Sequence, residues 1–199
     1  MVQKRRTTAV RKDQIVAAAR KLIIKYGSEH VTVRAIAKSV GISEGTIYRH
    51  FRSKRDVLSL LADTIEEDLA RDIEEGGVGN GSCLLVLHNI LKGHITAIRQ
   101  RQGVSFQVIA EIISLGDKKL NKRISGIIDR YIESIKGLLS KGIHSGELRE
   151  DIDLQGAALL FFGMVQGLVN VWALSNEDFD LGKEYKPLWN TFREAIVRH

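Results

Sequence analysis

The residue types best suited to chemistry lie together in residues 43–50, SEGTIYRH. Their hydroxyl, phenol, guanidinium and imidazole groups exchange hydrogen bonds with the base edges and phosphates of a DNA major groove. Ile47 and Phe51 stand one helical turn apart and predict an inward face, which leaves the polar groups facing outward. The segment therefore predicts a contact with nucleic acid. The alternative is an ordinary helical hairpin with a solvated charged face.

Two helices joined by a glycine turn would position these groups. The apolar residues of the preceding helix recur at i, i+3, i+4 and i+7, namely Val33, Ile36, Ala37 and Val40. Thr32 is placed to cap this helix, and Gly41 follows where its end needs a residue tolerant of positive φ. Ser43 can then cap the second helix. The pattern predicts a helix-turn-helix whose second helix enters the major groove.

Charge is distributed unevenly along the 199 residues, whose formal net charge is +6. Residues 1–55 hold 14 Lys/Arg and three Asp/Glu, a net of +11, whereas the remainder holds 16 and 21, a net of −5. A basic N-terminal part attracts a polyanion, and the mildly acidic remainder does not. The cationic arm Lys4, Arg5 and Arg6 would add to this attraction.

Cysteine usage and the apolar segments predict a cytoplasmic protein with no membrane span. Cys83 is the single cysteine, which fits a reducing compartment, and the basic N-terminus lacks the apolar stretch of a signal peptide. Residues 154–174 are long and apolar enough to span a membrane. However, Gln155, Gln166 and Asn170 interrupt them, which favours a packed helix of a soluble protein.

Long periodic segments and a single proline, Pro187, predict an all-α fold. The first helix ends near Gly27, and Ser53 with Asp56 forms a capping box that starts the fourth. The glycine-rich residues 76–81 form a loop. Further helices are expected at about residues 82–101, 104–115, 118–144 and from 154 onward. Residues 175–187 would form a connector before a last helix.

Residues 12–61 resemble the TetR family of bacterial transcription regulators. The resemblance rests on a first helix ending in YG, a GIS turn, GTIY, an HF pair and SK at the head of the fourth helix. It implies an all-α homodimer with an N-terminal three-helix DNA-binding domain, residues 1–55. It also implies a C-terminal helical domain, residues 56–199, for ligand binding and dimerisation. Each dimer would bind a palindromic double-stranded operator, and a small molecule would change the spacing of the two DNA-binding heads and release them.

The resemblance assigns phosphate contacts to Tyr48, His50 and Lys54. Residue chemistry predicts base reading by Arg49, which can bind guanine with two hydrogen bonds, and close backbone approach at Gly45. The remaining predicted DNA-binding residues are Thr32, Arg34, Ser43, Glu44 and Thr46. Glu44 departs from the neutral or basic residue common at its position in the family and could accept a hydrogen bond from cytosine. Arg34 is equally well read as a solvated cation.

The C-terminal part predicts a cavity for a hydrophobic or amphipathic effector such as an acyl chain. Its expected lining is Phe106, Ile109, Ile113, Phe161, Phe162, Met164, Gln166, Asn170 and Trp172. Gln166 and Asn170 would orient the ligand, or bond across a dimer seam. Plain core packing is the alternative. No cofactor is expected, and the six-residue spacing of His88 and His94 argues against a shared metal site.

The dimer interface is expected in the last two helices, at Gly163, Gly167, Leu188, Trp189, Phe192 and Ile196. The alternative is that these residues pack within their own chain, which predicts a monomer.

Two other classes of function compete with a regulator. An enzyme is disfavoured because the chain has no GxSxG, HExxH, Walker or dinucleotide motif. An architectural DNA-binding protein without effector would bind all sequences alike, with a steep dependence on salt. Repression and activation share the same fold and cannot be told apart at this level.

Overall fold

The computed structural model describes residues 8–26, 31–48, 51–77, 81–175 and 178–198. Across these ranges the regular structure is α-helical, and the one β-type contact is an isolated antiparallel bridge between Leu148 and Val197. The predicted all-α fold is confirmed.

The helices follow the predicted order closely. They are α1 Thr8–Tyr26, α2 Val33–Val40, α3 Glu44–Tyr48, α4 Lys54–Gly76, α5 Cys83–Gln100, α6 Val104–Leu115, α7 Lys118–His144, α8 Leu154–Leu174 and α9 Leu181–Ile196. Side-chain caps explain several of their starts. The Ser82 hydroxyl accepts from the Leu85 amide at 3.2 Å to begin α5, and the Asp153 carboxylate accepts from the Gln155 amide at 3.0 Å to begin α8.

The predicted connector at residues 175–187 is wrong over its second half, because α9 begins at Leu181. The Asp180 carboxylate accepts from the Gly182 amide at 2.8 Å and caps the helix there. Pro187 lies inside α9, where it removes one backbone hydrogen bond. Burial of Leu181, Tyr185 and the apolar residues after them offsets this loss.

The chain divides into two compact units, each with its own core. Unit 1 comprises residues 1–64 and 107–123, and unit 2 comprises residues 65–106 and 124–199. The described core of unit 1 includes Ile15, Ala19, Ile36, Ile47 and Leu58, all buried. The described core of unit 2 includes Leu87, Ile90, Ile135, Phe161 and Phe192. Unit 1 thus continues past residue 55, while the predicted functional boundary at that residue stays a prediction.

Candidate DNA-binding interface and effector site

Backbone and side-chain hydrogen bonds close both ends of α2 as predicted. The Thr32 hydroxyl accepts from the Ala35 amide at 3.0 Å, so Thr32 is the N-cap. Gly41 has φ 72° and ψ 39°, the left-handed conformation that glycine adopts without strain. Its amide donates to the Lys38 carbonyl, and the Ile42 amide donates to the Ala37 carbonyl at 3.1 Å. These two bonds form a Schellman motif, which turns the chain sharply toward α3.

The start of α3 is also capped as predicted. The Ser43 hydroxyl accepts from the Thr46 amide at 3.2 Å, and the hydroxyls of these two residues lie 2.9 Å apart. Ile47 is fully buried and anchors the helix in unit 1. The short helix is therefore held at its start by hydrogen bonds and along its inner side by packing.

The outer side of α3 is open for a partner. No atom of the described chain lies within 4 Å of the place where a Cβ at Gly45 would stand. Ser43 and Glu44 are exposed, and Tyr48 is 49% exposed. Two predicted DNA contacts, Arg49 and His50, lie outside the described residues, as does the arm at Lys4, Arg5 and Arg6.

Glu44 and Arg34 contact each other across the turn. The Arg34 Nε and Glu44 Oε1 atoms are 3.4 Å apart, and both side chains are well exposed. An exposed pair of this kind stabilises a fold only slightly. The pair nevertheless places the Arg34 guanidinium beside α3, so its charge lies at the same outer surface as Glu44.

The predicted capping box at the start of α4 is only partly correct. The Asp56 carboxylate accepts from the backbone amide of Arg52 at 2.7 Å, one residue before the expected Ser53. The Asp56 amide donates to the Ser53 carbonyl at 3.1 Å. Phe51 is buried just before this turn, so its packing fixes the chain between α3 and α4.

Lys54, the predicted phosphate contact, forms an ion pair within the chain. Its Nζ atom lies 2.6 Å from Glu111 Oε1 on α6, and the next residue, Arg55, lies 2.9 Å from Asp117. A hydrogen bond from the Leu120 amide, helped by the Arg55 guanidinium, lowers the pKa of Asp117. The sequence motif around Lys54 carries no sign of Glu111 or Asp117, which are distant along the chain. A phosphate would have to compete with Glu111 for this lysine.

The predicted effector residues do not share one environment. Phe161 and Trp172 are buried, and Phe106, Ile109, Phe162, Met164 and Gln166 are partly buried. Ile113 is 65% exposed and Asn170 is exposed. Two cavities in unit 2 are lined by other residues. The predicted lining therefore stays a prediction.

The first of these cavities has a volume of about 250 Å³ and lies between α4 and α7. Its walls include Leu69, Ile73, Ile127 and Tyr131, with Glu66 and Arg130 paired at the surface. The second measures about 480 Å³, lies between α4 and α5 and is more polar. The residues around it include Arg71, Asp72, Lys92, Gln100 and Arg101.

A buried polar cluster, formed by Asp72, His94 and Tyr131, lies in unit 2. Asp72 and His94 are each 8% exposed and Tyr131 is 3% exposed. The His94 Nδ1 and Asp72 Oδ2 atoms are 3.9 Å apart, and the rings of His94 and Tyr131 meet edge-on at 6.1 Å. Burial raises the pKa of Asp72 to about 6, lowers the pKa of His94 to about 4 and raises the pKa of Tyr131. Sequence reasoning weighed His94 only as a metal ligand and missed the other two residues.

His88 and His94 contact different partners, as their spacing predicts. The His88 ring lies 5.0 Å from the Trp189 ring on α9, whereas His94 lies beside Tyr131 on α7.

The predicted dimer residues separate into two groups. Gly163 and Gly167 are exposed on α8, beside the exposed apolar side chains Leu159, Leu160, Val171 and Leu174. Trp189, Phe192 and Ile196 are buried within their own chain, and Leu188 is partly buried. The α9 residues thus follow the alternative of packing within the chain, and the α8 glycines remain available. By length and hydropathy α8 alone among the described helices could cross a membrane, a property that core helices share.

Two family models together match most of the chain. Residues 15–61 match the model described as "Bacterial regulatory proteins, tetR family". Residues 60–194 match the model described as "YsiA-like protein, C-terminal region". The two matched regions meet at residues 60–61, inside α4.

Individual relatives are regulators of similar length. The chain is 28% identical over 172 residues to the fatty acid metabolism regulator protein of Bacillus subtilis (strain 168), covering 84% of this chain and 86% of that protein. It is 28% identical to the HTH-type transcriptional regulator TtgR of Pseudomonas putida, covering 84% and 82%. The crystal structure of FadR from Bacillus subtilis in complex with stearoyl-CoA superposes with a TM-score of 0.77 at 27% identity, covering 93% and 97%. FadR from Bacillus halodurans has the same fold, with a TM-score of 0.81 at 22% identity, covering 94% and 97%.

Proposed function

The chain belongs to the TetR family of bacterial regulatory proteins, and we propose that it is a repressor released from a palindromic operator by a hydrophobic effector. It is a DNA-binding transcriptional regulator and not an enzyme, as its relatives are. Its expected place of action is the cytoplasm, where the operator lies.

The observation that carries the DNA-binding role is the geometry of α2, the Gly41 turn and α3. Both helices are capped, Ile47 anchors α3, and the outer side presents Ser43, Thr46 and Tyr48 around the open position at Gly45. A rigid helix with such groups suits direct reading of base edges. The net charge of +11 in residues 1–55 supports attraction to the phosphates.

The outer face of α8 supports a homodimer. Gly163 and Gly167 leave space for close approach of another helix, and the exposed side chains of Leu160 and Val171 lie on the same face. A cluster of exposed apolar side chains on one helix marks an interaction surface. A two-fold dimer would present two DNA-binding heads to half-sites about 34–36 Å apart, as a palindrome requires.

A mainly apolar cavity in unit 2 supports a hydrophobic effector. Leu69, Ile73 and Ile127 wall the cavity between α4 and α7. A relative at 27% identity was crystallised with stearoyl-CoA, an acyl thioester. Both observations favour an effector that carries an aliphatic chain.

The test is fluorescence anisotropy on DNA from upstream of the gene that encodes this chain, with a scrambled duplex at equal salt as control. We expect at least a hundredfold preference, about 2.7 kcal/mol. Arg49→Ala should lose about 1–3 kcal/mol of discrimination, whereas Lys54→Ala should weaken both duplexes alike. Equal, salt-steep binding to both duplexes would instead indicate an architectural DNA-binding protein.

A further inference from the structure

The buried polar cluster of Asp72, His94 and Tyr131 contains two atoms that lack a hydrogen-bond partner. Among the described residues, none bonds to the Tyr131 hydroxyl or to His94 Nδ1. Tyr131 is 3% exposed, so bulk water does not replace the missing partner. A buried polar group without a partner destabilises a fold, and proteins keep such groups mainly where a ligand or ordered water completes them.

Tyr131 also forms part of the wall of the cavity between α4 and α7. The neighbouring walls are apolar, with Leu69 and Ile73 on α4 and Ile127 on α7. A liquid water occupies about 30 Å³, so a cavity of about 250 Å³ holds about eight non-hydrogen atoms. This size and lining fit a short aliphatic segment with one polar atom.

The charge beside Tyr131 restricts that polar atom. The nearby Asp72 carboxylate contributes to the raised pKa of Tyr131, so the phenol keeps its proton and acts as a donor. Burial raises the pKa of Asp72 itself to about 6, so this carboxylate is mostly ionised at pH 7.5. A second carboxylate placed at the phenol would be repelled, whereas a carbonyl or hydroxyl oxygen would not.

We propose that the cavity between α4 and α7 binds the aliphatic part of an uncharged ester, thioester or alcohol, whose oxygen accepts a hydrogen bond from the Tyr131 hydroxyl. This inference rests on the proposed regulator function only in naming the ligand as its effector. It excludes free carboxylates as good ligands of this site.

The first experiment compares methyl hexanoate with sodium hexanoate at pH 7.5, by calorimetric titration of the full chain. We expect the ester to bind at least tenfold more tightly. Tyr131→Phe should weaken ester binding by about tenfold. The matched control is Tyr185→Phe, which changes a buried tyrosine on α9 that stands outside the cavity wall and should leave ester binding unchanged.

Thermal unfolding without ligand separates a binding role from a structural one. The Tyr131 hydroxyl has no partner among the described residues, so Tyr131→Phe should unfold at or above the wild-type Tm. A structural hydroxyl would give a lower Tm. A second variant, Ala70→Phe, fills the cavity from an exposed position on α4 and should abolish ester binding while the Tm is kept.

Several results would overturn the inference: no saturable binding of the ester, equal binding of ester and hexanoate, or full ester binding by Tyr131→Phe. Operator binding measured in parallel distinguishes this failure from failure of the proposed function. Specific DNA binding without ester binding rejects only the ligand site. Tyrosine-dependent ester binding without specific DNA binding rejects only the regulator role.

Discussion

Gly41→Ala should destabilise the protein through the backbone alone. Gly41 has φ 72°, and no described atom lies within 4 Å of a Cβ placed there, so an added methyl group makes no clash with its surroundings. An alanine in the left-handed conformation costs about 1–2 kcal/mol. Lower entropy of the unfolded chain offsets about 0.4–1 kcal/mol of this cost. The free energy of unfolding should therefore fall by about 1 kcal/mol, which lowers the Tm by about 2–4 °C in a chain of this length.

Gly45→Ala is the matched control, because Gly45 has the same open surroundings but lies inside α3 without a positive φ. Alanine in a helix is favoured over glycine by about 1 kcal/mol, so this variant should be as stable as the wild type or more stable. Its methyl group stands where DNA would approach, so operator binding should weaken. Gly41→Asn should recover part of the lost stability, since asparagine tolerates the left-handed conformation.

Urea unfolding followed by circular dichroism at 222 nm measures the stability of all three variants, and anisotropy on the upstream duplex measures DNA binding. If Gly41→Ala were neutral while Gly45→Ala were destabilised, the assignment of the turn to Gly41 and of the helix to Gly45 would be refuted. A Gly45→Ala variant that binds the duplex like the wild type would show that DNA does not approach this position.

Three further predictions concern unit 2, the Lys54 ion pair and α8. Burial raises the pKa of Asp72 from 3.8 to about 6, so the wild type loses up to about 3 kcal/mol as pH rises through that window; Asp72→Asn should be more stable at pH 7.5 but not at pH 3.5, by urea midpoint. His94, whose pKa is lowered from 6.5 to about 4, acts oppositely, so Asp72→Asn should lose stability more steeply as pH falls through that range. Glu111→Gln should release Lys54 and raise affinity for both duplexes up to roughly fivefold, by anisotropy. Val171→Glu should convert the dimer to a monomer in sedimentation velocity, whereas Ile113→Glu, at an equally exposed apolar position on α6, should not.

Each of these expectations has a contrary result. An Asp72→Asn variant whose stability gain is the same at both pH values would show that ionisation of the carboxylate is not the cause. Unchanged DNA affinity in Glu111→Gln would show that the ion pair does not compete with phosphate. A wild-type monomer at micromolar concentration would remove the proposed role of the α8 face.

Local sequence was sufficient for the helix-turn-helix and for most helix ends. The Thr32 and Ser43 caps and the Gly41 turn join residues three to five positions apart, so the residue types at fixed spacing determine them. The periodic burial of Val33, Ile36 and Ala37 follows from the same short range.

The start of α9 shows where local rules compete. Pro187 and the polar residues before it predicted a connector, but the Asp180 cap and the burial of Leu181 and Tyr185 extend the helix across the proline. Burial of side chains depends on what packs against them, which a local pattern does not contain.

The amino-acid sequence alone determined the fold class, the DNA-facing helix and the basic N-terminal part, because each depends on neighbouring residues or on composition. Only the tertiary structure decided which groups become partners at long range. It paired Lys54 with Glu111, and it buried Asp72, His94 and Tyr131 together from three different helices. Such contacts form when distant segments pack, and their energies come from burial and charge in that shared environment.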